Sequence, residues 1–234
     1  MSVSITWLGH SAFLVELPSK QRLLFDPWLG NPRCPEVYRQ PAALGRVDLV
    51  LVSHGHDDHA ADLAAISRAT GAPIVCIFEL GQFLKARGLK NVCDMGIGGT
   101  QHLAGLSVTM TQAVHSGSTL VDGQIVYLGG AAGFVVRAAG APTIYFAGDT
   151  ALFGDMKLIG DVYAPAIAFL PIGDHYTMGP DAAAMAAKWL GVRQVVPMHW
   201  GTFPVLSGTP AMLEEHVAGT GIDVLTLAPG ETAS

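Results

Sequence analysis

One junction constrains this chain more than any other feature. Residues 48–52 read Asp-Leu-Val-Leu-Val, and after Ser53 the chain turns at once into His54-Gly55-His56-Asp57-Asp58-His59. An apolar run without polar alternation belongs to a strand covered on both faces, as in an α/β sheet. The polar continuation then lies at the sheet edge, where His54, His56, Asp58 and His59 are four potential metal ligands within one short segment. Imidazole and carboxylate suit divalent transition metals, zinc foremost. Along extended backbone, positions i and i+2 project to one side. His54 and His56 can therefore grip one ion while Asp58 and His59 swing round to a second, with Gly55 relieving the crowding between the first two. A polar loop that merely caps the next helix, with Asp57 or Asp58 as N-cap, accounts for one aspartate and for none of the histidines.

The rest of the 234 residues reads in the same style. Short strands are expected at 4–7, 12–17, 22–25, 73–77, 105–113, 124–128, 134–137, 143–146, 167–172, 194–196 and 224–227, separated by glycine and proline turns. Helices are expected at 60–69, 80–86, 180–190 and 210–218, with Pro180 well suited to a first turn. Each half runs strands first and then alternates strand with helix, with no linker between. Two sheets packed face to face with helices outside bury all these runs. The reading is one α/β domain over residues 1–234, with segments 31–44 and 150–164 as loops that shape a pocket.

Three more residues follow apolar runs: His115 in QAVHSG, Asp149 in FAGDT and His199 in VPMHWGTF. Strand ends along one rim are where α/β folds assemble their chemistry. His175, in PIGDHYTMGP, sits between a strand end and a helix start on that rim. His10, in LGHSAF, is expected to contact substrate or to support a ligand. Asp26, in FDPW, is expected to hydrogen-bond a metal-binding histidine. His102 and His216 have no partners in sequence, and Trp28, Tyr176, Trp200 and Phe203 flank the ligand segments as pocket wall or core.

Composition narrows the class. Half of the residues are hydrophobic and 14% are charged, against about 25% charged in an average domain, which excludes a disordered chain. No apolar run reaches the roughly 18 residues of a membrane span; the richest, 131–147, is broken by Arg137 and Pro142. The opening MSVSITWLGH lacks the basic and apolar regions of a signal peptide, so a cytoplasmic protein with no membrane partner is expected. Thirteen Lys and Arg against nineteen acidic residues give a net charge of −6, and the densest basic group, Lys85, Arg87 and Lys90, reads as a solvated helix face. No dedicated nucleic-acid surface is indicated. So few charges leave apolar surface to cover, and a homo-oligomer is expected. Cys34, Cys76 and Cys93 lack any paired spacing and read as free thiols of a reducing compartment.

The order His-x-His-x-Asp-His, then separate His, Asp and His, is similar to the metal-ligand pattern of the metallo-β-lactamase superfamily. TWLGHSAFLVEL, LLFDPWLG, GDHYTMGPDAA and VPMHWGTFPVLSG resemble one branch of it, small bacterial and archaeal metal-dependent hydrolases related to ascorbate-phosphate lactonases. The resemblance spans about residues 7–229. It implies a four-layer αββα sandwich with two divalent ions at the sheet edge, zinc first, with manganese or iron in some relatives. Carried over position by position, His54, His56 and His115 would hold the first ion. Asp58, His59 and His199 would hold the second, and Asp149 would bridge them. Relatives that reduce oxygen at a di-iron site carry an acidic residue where His56 stands, so a non-hydrolytic redox or metal-binding role is the lesser alternative.

The implied enzyme is a dinuclear hydrolase that uses a metal-bridging hydroxide, with Asp58 and Asp149 as catalytic ligands. Its site stays net positive and suits a small anionic ester, phosphodiester or lactone. His175 is the expected general acid and substrate contact, with a ligand-orienting histidine as the other reading. An RNA-processing phosphodiesterase is the rival function, and the scattered basic residues argue against it.

Overall fold

The computed structural model describes residues 2–234. Strands β1 (Ser4–Trp7), β2 (Phe13–Glu16) and β3 (Arg22–Phe25) form an antiparallel meander. The chain then passes two 3-10 turns, Glu36–Tyr38 and Pro41–Leu44, to reach β4 (Leu49–Leu51), parallel to β3. Helices α1 (Asp57–Ala60) and α2 (Leu63–Thr70) lead to β5 (Ile74–Ile77), and α3 (Phe78–Ala86) leads to β6 (Val92–Met95), both strands continuing the parallel run.

The second sheet repeats the scheme. β7 (Thr100–Leu103) and β8 (Leu106–Gln112) are followed by a separate hairpin, β9 (Ser118–Val121) and β10 (Gln124–Tyr127). β11 (Ala132–Arg137) and β12 (Ile144–Phe146) complete the antiparallel part. Helix α4 (Met156–Tyr163), β13 (Ile167–Pro171), α5 (Pro180–Leu190), β14 (Gln194–Met198), α6 (Pro210–Val217) and β15 (Asp223–Val224) then alternate, with the strands parallel. Last, β16 (Thr232–Ala233) pairs antiparallel with β1. The sheet orders are β16-β1-β2-β3-β4-β5-β6 and β15-β14-β13-β12-β11-β8-β7.

Aromatic side chains fill the space between the sheets. Phe13 meets Phe169 at a centroid distance of 4.9 Å, and Phe25 stacks on Phe146 at 4.6 Å. All four are fully buried, each contributing about 1.5–3 kcal/mol by leaving water. Helix α3 covers β5 and β6, while α5 and α6 cover β13 and β15. The inner face of α5 is alanine, with Ala183, Ala184, Ala186 and Ala187 buried, so the helix lies close on its sheet. The expected αββα sandwich is the one observed.

Strands β6, β7 and β9 lie outside the expected ranges, and two further departures bear on the site. The presumed loop 150–164 contains α4, which buries Met156 and Ile159. Gly160 lets it lie against the end of α5, since a Cβ there would stand 2.6 Å from the Trp189 carbonyl oxygen. Glycine and β-branched residues are poor helix formers, so tertiary packing overrides the local pattern. The second departure is in the motif itself. Backbone is extended only through His56 (φ −67°, ψ 148°), which caps α1, and neither Asp57 nor Asp58 caps the helix through its side chain. Asp58 and His59 therefore reach the second group as consecutive residues of a helical turn.

Candidate metal centre

The motif leaves β4, and a second strand end comes close beside it. Gly148, at φ +62°, has no room for a side chain, because a Cβ would lie 2.6 Å from the Ser53 Cβ. That approach carries Asp149 to the motif. Three residues at the site hold left-handed backbone: His10 (φ 53°) between β1 and β2, Asp26 (φ 38°) after β3 and His199 (φ 55°) after β14. Such conformations are uncommon outside glycine and gather at functional sites. The His10 carbonyl accepts from the Trp7 indole (2.9 Å) and from the His199 amide (3.2 Å). Thr150 receives the Val114 amide on its hydroxyl at 2.9 Å, which steadies the segment carrying His115.

Two groups result. The ligand atoms of His54, His56 and His115 lie within 4.8 Å of one another, and so do those of His10, Asp58, His59 and His199. Asp149 stands between the groups. Its Oδ2 is 3.0 Å from His199 Nε2, 3.4 Å from His59 Nε2 and 3.7 Å from His115 Nε2. All seven residues singled out as ligands in the sequence thus meet at one rim, joined by His10.

Behind them sits a carboxylate. Asp26, fully buried, accepts from the Ser53 amide (2.7 Å), the Ser53 hydroxyl (2.6 Å) and His59 Nδ1 (2.7 Å). With its hydrogen directed at Asp26, the Ser53 hydroxyl accepts from His54 Nδ1 at 2.9 Å. Both imidazoles therefore carry a proton on Nδ1 and turn Nε2 inward, the orientation that outer-shell partners impose on metal-binding histidines. His59 Nε2 and Asp149 Oδ1 are buried without a hydrogen-bond partner among the described residues. An unmet buried acceptor costs about 1–3 kcal/mol. A divalent cation satisfies such atoms, and the donor set of imidazoles and carboxylates fits one.

Electrostatics separates the groups. Burial, aided by His59, pushes His54 well below the ordinary histidine range, and burial also lowers His56 and His115, so these rings are neutral, with His54 Nε2 and His56 Nδ1 hydrogen-bonded at 2.9 Å. Burial acts the same way on His59 and His199, but Asp149 and its neighbours outweigh it. His59 is raised well above the ordinary value and His199 to about 9. Burial works against ionised Asp58 and Asp149 too, yet the surrounding histidines hold both below the usual carboxylate range.

His10 has no exposed surface, and burial pushes its pKa down to about 4 despite the Asp58 bond. The neutral ring donates from Nε2 to Asp58 Oδ2 (3.1 Å) and meets the Thr202 hydroxyl at Nδ1 (3.0 Å). With both nitrogens engaged, it steadies Asp58, and the expected substrate contact gives way to the supporting role. Trp28 and Phe203 enclose its ring. His175 is exposed, at φ 56° beside Tyr176. It belongs to neither ligand group and makes no hydrogen bond to a ligand residue among the described residues. His102 and His216 are exposed and stand apart. Trp200 stacks on Trp7 at 5.0 Å, a packing role. Ser53, Thr150 and Thr202 went unnoticed in sequence, where single hydroxyls carry no spacing signal; the adjacency of Ser53 to the motif was the available clue.

Two facing sheets with histidines and aspartates gathered at their common rim define a metallo-β-lactamase-type hydrolase. A model of the β-lactamase superfamily domain matches residues 21–200. The chain is 47% identical to a UPF0173 metal-dependent hydrolase of Koribacter versatilis, over 99% of this chain and 98% of that protein. It is 43% identical to one from Methanopyrus kandleri, over 97% and 98%. Among solved structures it resembles Igni18, a metallo hydrolase from Ignicoccus hospitalis, with TM-score 0.89, 36% identity and coverage of 100% and 98%. The chain belongs to the metallo-β-lactamase superfamily and, within it, to the UPF0173 metal-dependent hydrolases. No helix among the described residues is long and apolar enough to cross a membrane.

Proposed function

We propose that this metal-dependent hydrolase works with two divalent cations, zinc first, on a small anionic ester, phosphodiester or lactone. The observation that carries the reading is the position of Asp149, one carboxylate oxygen within 3.7 Å of His115 in one group and of His59 and His199 in the other. His54, His56 and His115 would hold one ion, Asp58, His59 and His199 the other, and Asp149 both. When bound, such a pair would polarise the oxygen of the group under attack and bring the pKa of a bound water down to about 7.

The chain's own residues set the conditions for that chemistry. Asp26 and Ser53 fix which nitrogen His54 and His59 present, and His10 holds the Asp58 carboxylate in place. Asp58 and Asp149 neutralise only part of the cation charge, so the rim favours an anionic substrate. His175 is the proposed general acid, free of other partners on the segment between β13 and α5. The test begins with elemental analysis of freshly purified protein, followed by a panel of phosphodiesters, lactones and thioesters. Two metal equivalents per chain, with turnover lost on chelation and restored by zinc, are expected. A single equivalent at saturation, or no turnover on any of the panel with both ions bound, overturns the reading.

A further inference from the structure

The motif segment has a second face. A cavity of about 820 Å³ is lined by Gly55 and Asp57 but by none of His54, His56, Asp58 and His59. It therefore lies on the side of the segment away from the metal centre. Buried Leu63, Leu80, Leu84 and Leu128 form its apolar wall. Its size falls within the roughly 300–1,000 Å³ of small-molecule sites.

Arg68, Arg87 and Lys90 also line this cavity. None of them forms an ion pair among the described residues, whereas Lys85, grouped with Arg87 and Lys90 in the sequence reading, pairs with Asp94. The Asn91 side chain bonds the Gly71 carbonyl, tying the ends of α2 and α3 together where these cations stand. Helix dipoles favour cations at helix C-termini but give no reason for two helices to turn theirs toward one apolar cavity. The Arg87 guanidinium is held 3.5 Å over the Phe83 ring, itself part of the lining. The acids of the lining belong to other elements. Asp57 begins α1 and accepts from Thr119 at 2.7 Å, and Asp122 lies in the turn of the β9–β10 hairpin.

We propose that this cavity is a second binding site, separate from the metal centre, for a small amphipathic anion with an aliphatic body and one carboxylate or phosphate head. The leucine wall takes the body. The three unpaired cations take the head, locally reversing the sign of a protein whose net charge is −6. Asp57 and Asp122 repel the head from the hairpin end and so give the ligand one orientation.

Calorimetric titration of the metal-loaded protein with decanoate, decyl phosphate and decyltrimethylammonium tests this. Saturable binding of at least one of the two anions, and not of the cation, is expected. Substituting Arg68→Gln, Arg87→Gln and Lys90→Gln together should weaken anion binding by about tenfold or more while metal content stays constant. These side chains are exposed, and a variant filling the cavity, Ala64→Trp, gives an independent check. Anion binding should also persist after the metals are removed by chelation. Absence of saturable anion binding, equal affinity for the cation, undiminished affinity in the triple variant, or loss of binding with the metals overturns the proposal.

Discussion

The first sheet delivers four of the candidate ligands from one short segment, whereas the second delivers three from three separate strand ends. The supports differ as well. In the first half, side chains do the positioning: Asp26 and Ser53 together fix the rings of His54 and His59. In the second, the left-handed turn at His199 and a single side chain, the Thr150 hydroxyl that accepts the Val114 amide, do it. His199 Nδ1 and Asp149 Oδ1 have no hydrogen-bond partner among the described residues. His59 Nε2, in the first half, is likewise without one, so each half leaves an inward atom for a cation to meet. The ligand groups draw on both halves, and their protonation divides along a related line, since burial keeps His54, His56 and His115 neutral while carboxylates keep protons on His59 and His199.

The largest expected effect follows from that division. A cation entering the Asp58, His59 and His199 group must displace a proton from each histidine, and each proton makes affinity rise about tenfold per pH unit. Because both pKa values are raised, affinity there is weak at low pH and keeps climbing through neutrality at least until pH reaches the His199 value of about 9. The group of His54, His56 and His115 should be nearly flat over the same range. Chelator competition with zinc across pH checks this, and two equally steep steps would erase the contrast. Next, Asp149→Ala removes the one residue both groups share and should lower kcat about a thousandfold and reduce bound metal, read by turnover and elemental analysis.

Asp26→Asn should weaken metal affinity about 10–100-fold, because a carboxamide cannot accept on both oxygens from Ser53 and His59. Thr202→Val, which removes a hydroxyl that meets His10 Nδ1 and donates to the Trp200 carbonyl, should cost less than about tenfold; equal losses in parallel chelator titrations would deny the first half its special organisation. The smallest effect is expected of His175→Ala on substrates with good leaving groups. Poor leaving groups should suffer by about a hundredfold with both metals retained, and an equal loss on both kinds of substrate would remove His175 from acid catalysis.

The motif was legible because its ligands are contiguous and follow an unmistakable buried strand. β1, β3 and α5 were legible in full because their apolar spacing and the proline at 180 agree with their surroundings. β7 was not, since Thr100–Leu103 alternates exposed and half-buried positions with almost no apolar side chains. α4 stayed hidden because Gly160 and Val162 lower its helix propensity, although its buried Met156 and Ile159 stand at helical spacing. The role of His10 needed the structure too: sequence places it in a turn, but only folding brings it to Asp58 and Thr202 at once.

The carbonyl of His10 receives protons from both Trp7 and His199, residues of opposite sheets. It acts as a clasp on the sandwich, and any breathing that parts the two leaves has to start at a border remote from it. Amide deuteration at position 199 should accordingly rank among the slowest in the molecule. A clasp at that corner keeps the distance between the two sets of ligands fixed while the outer helices remain free to fluctuate.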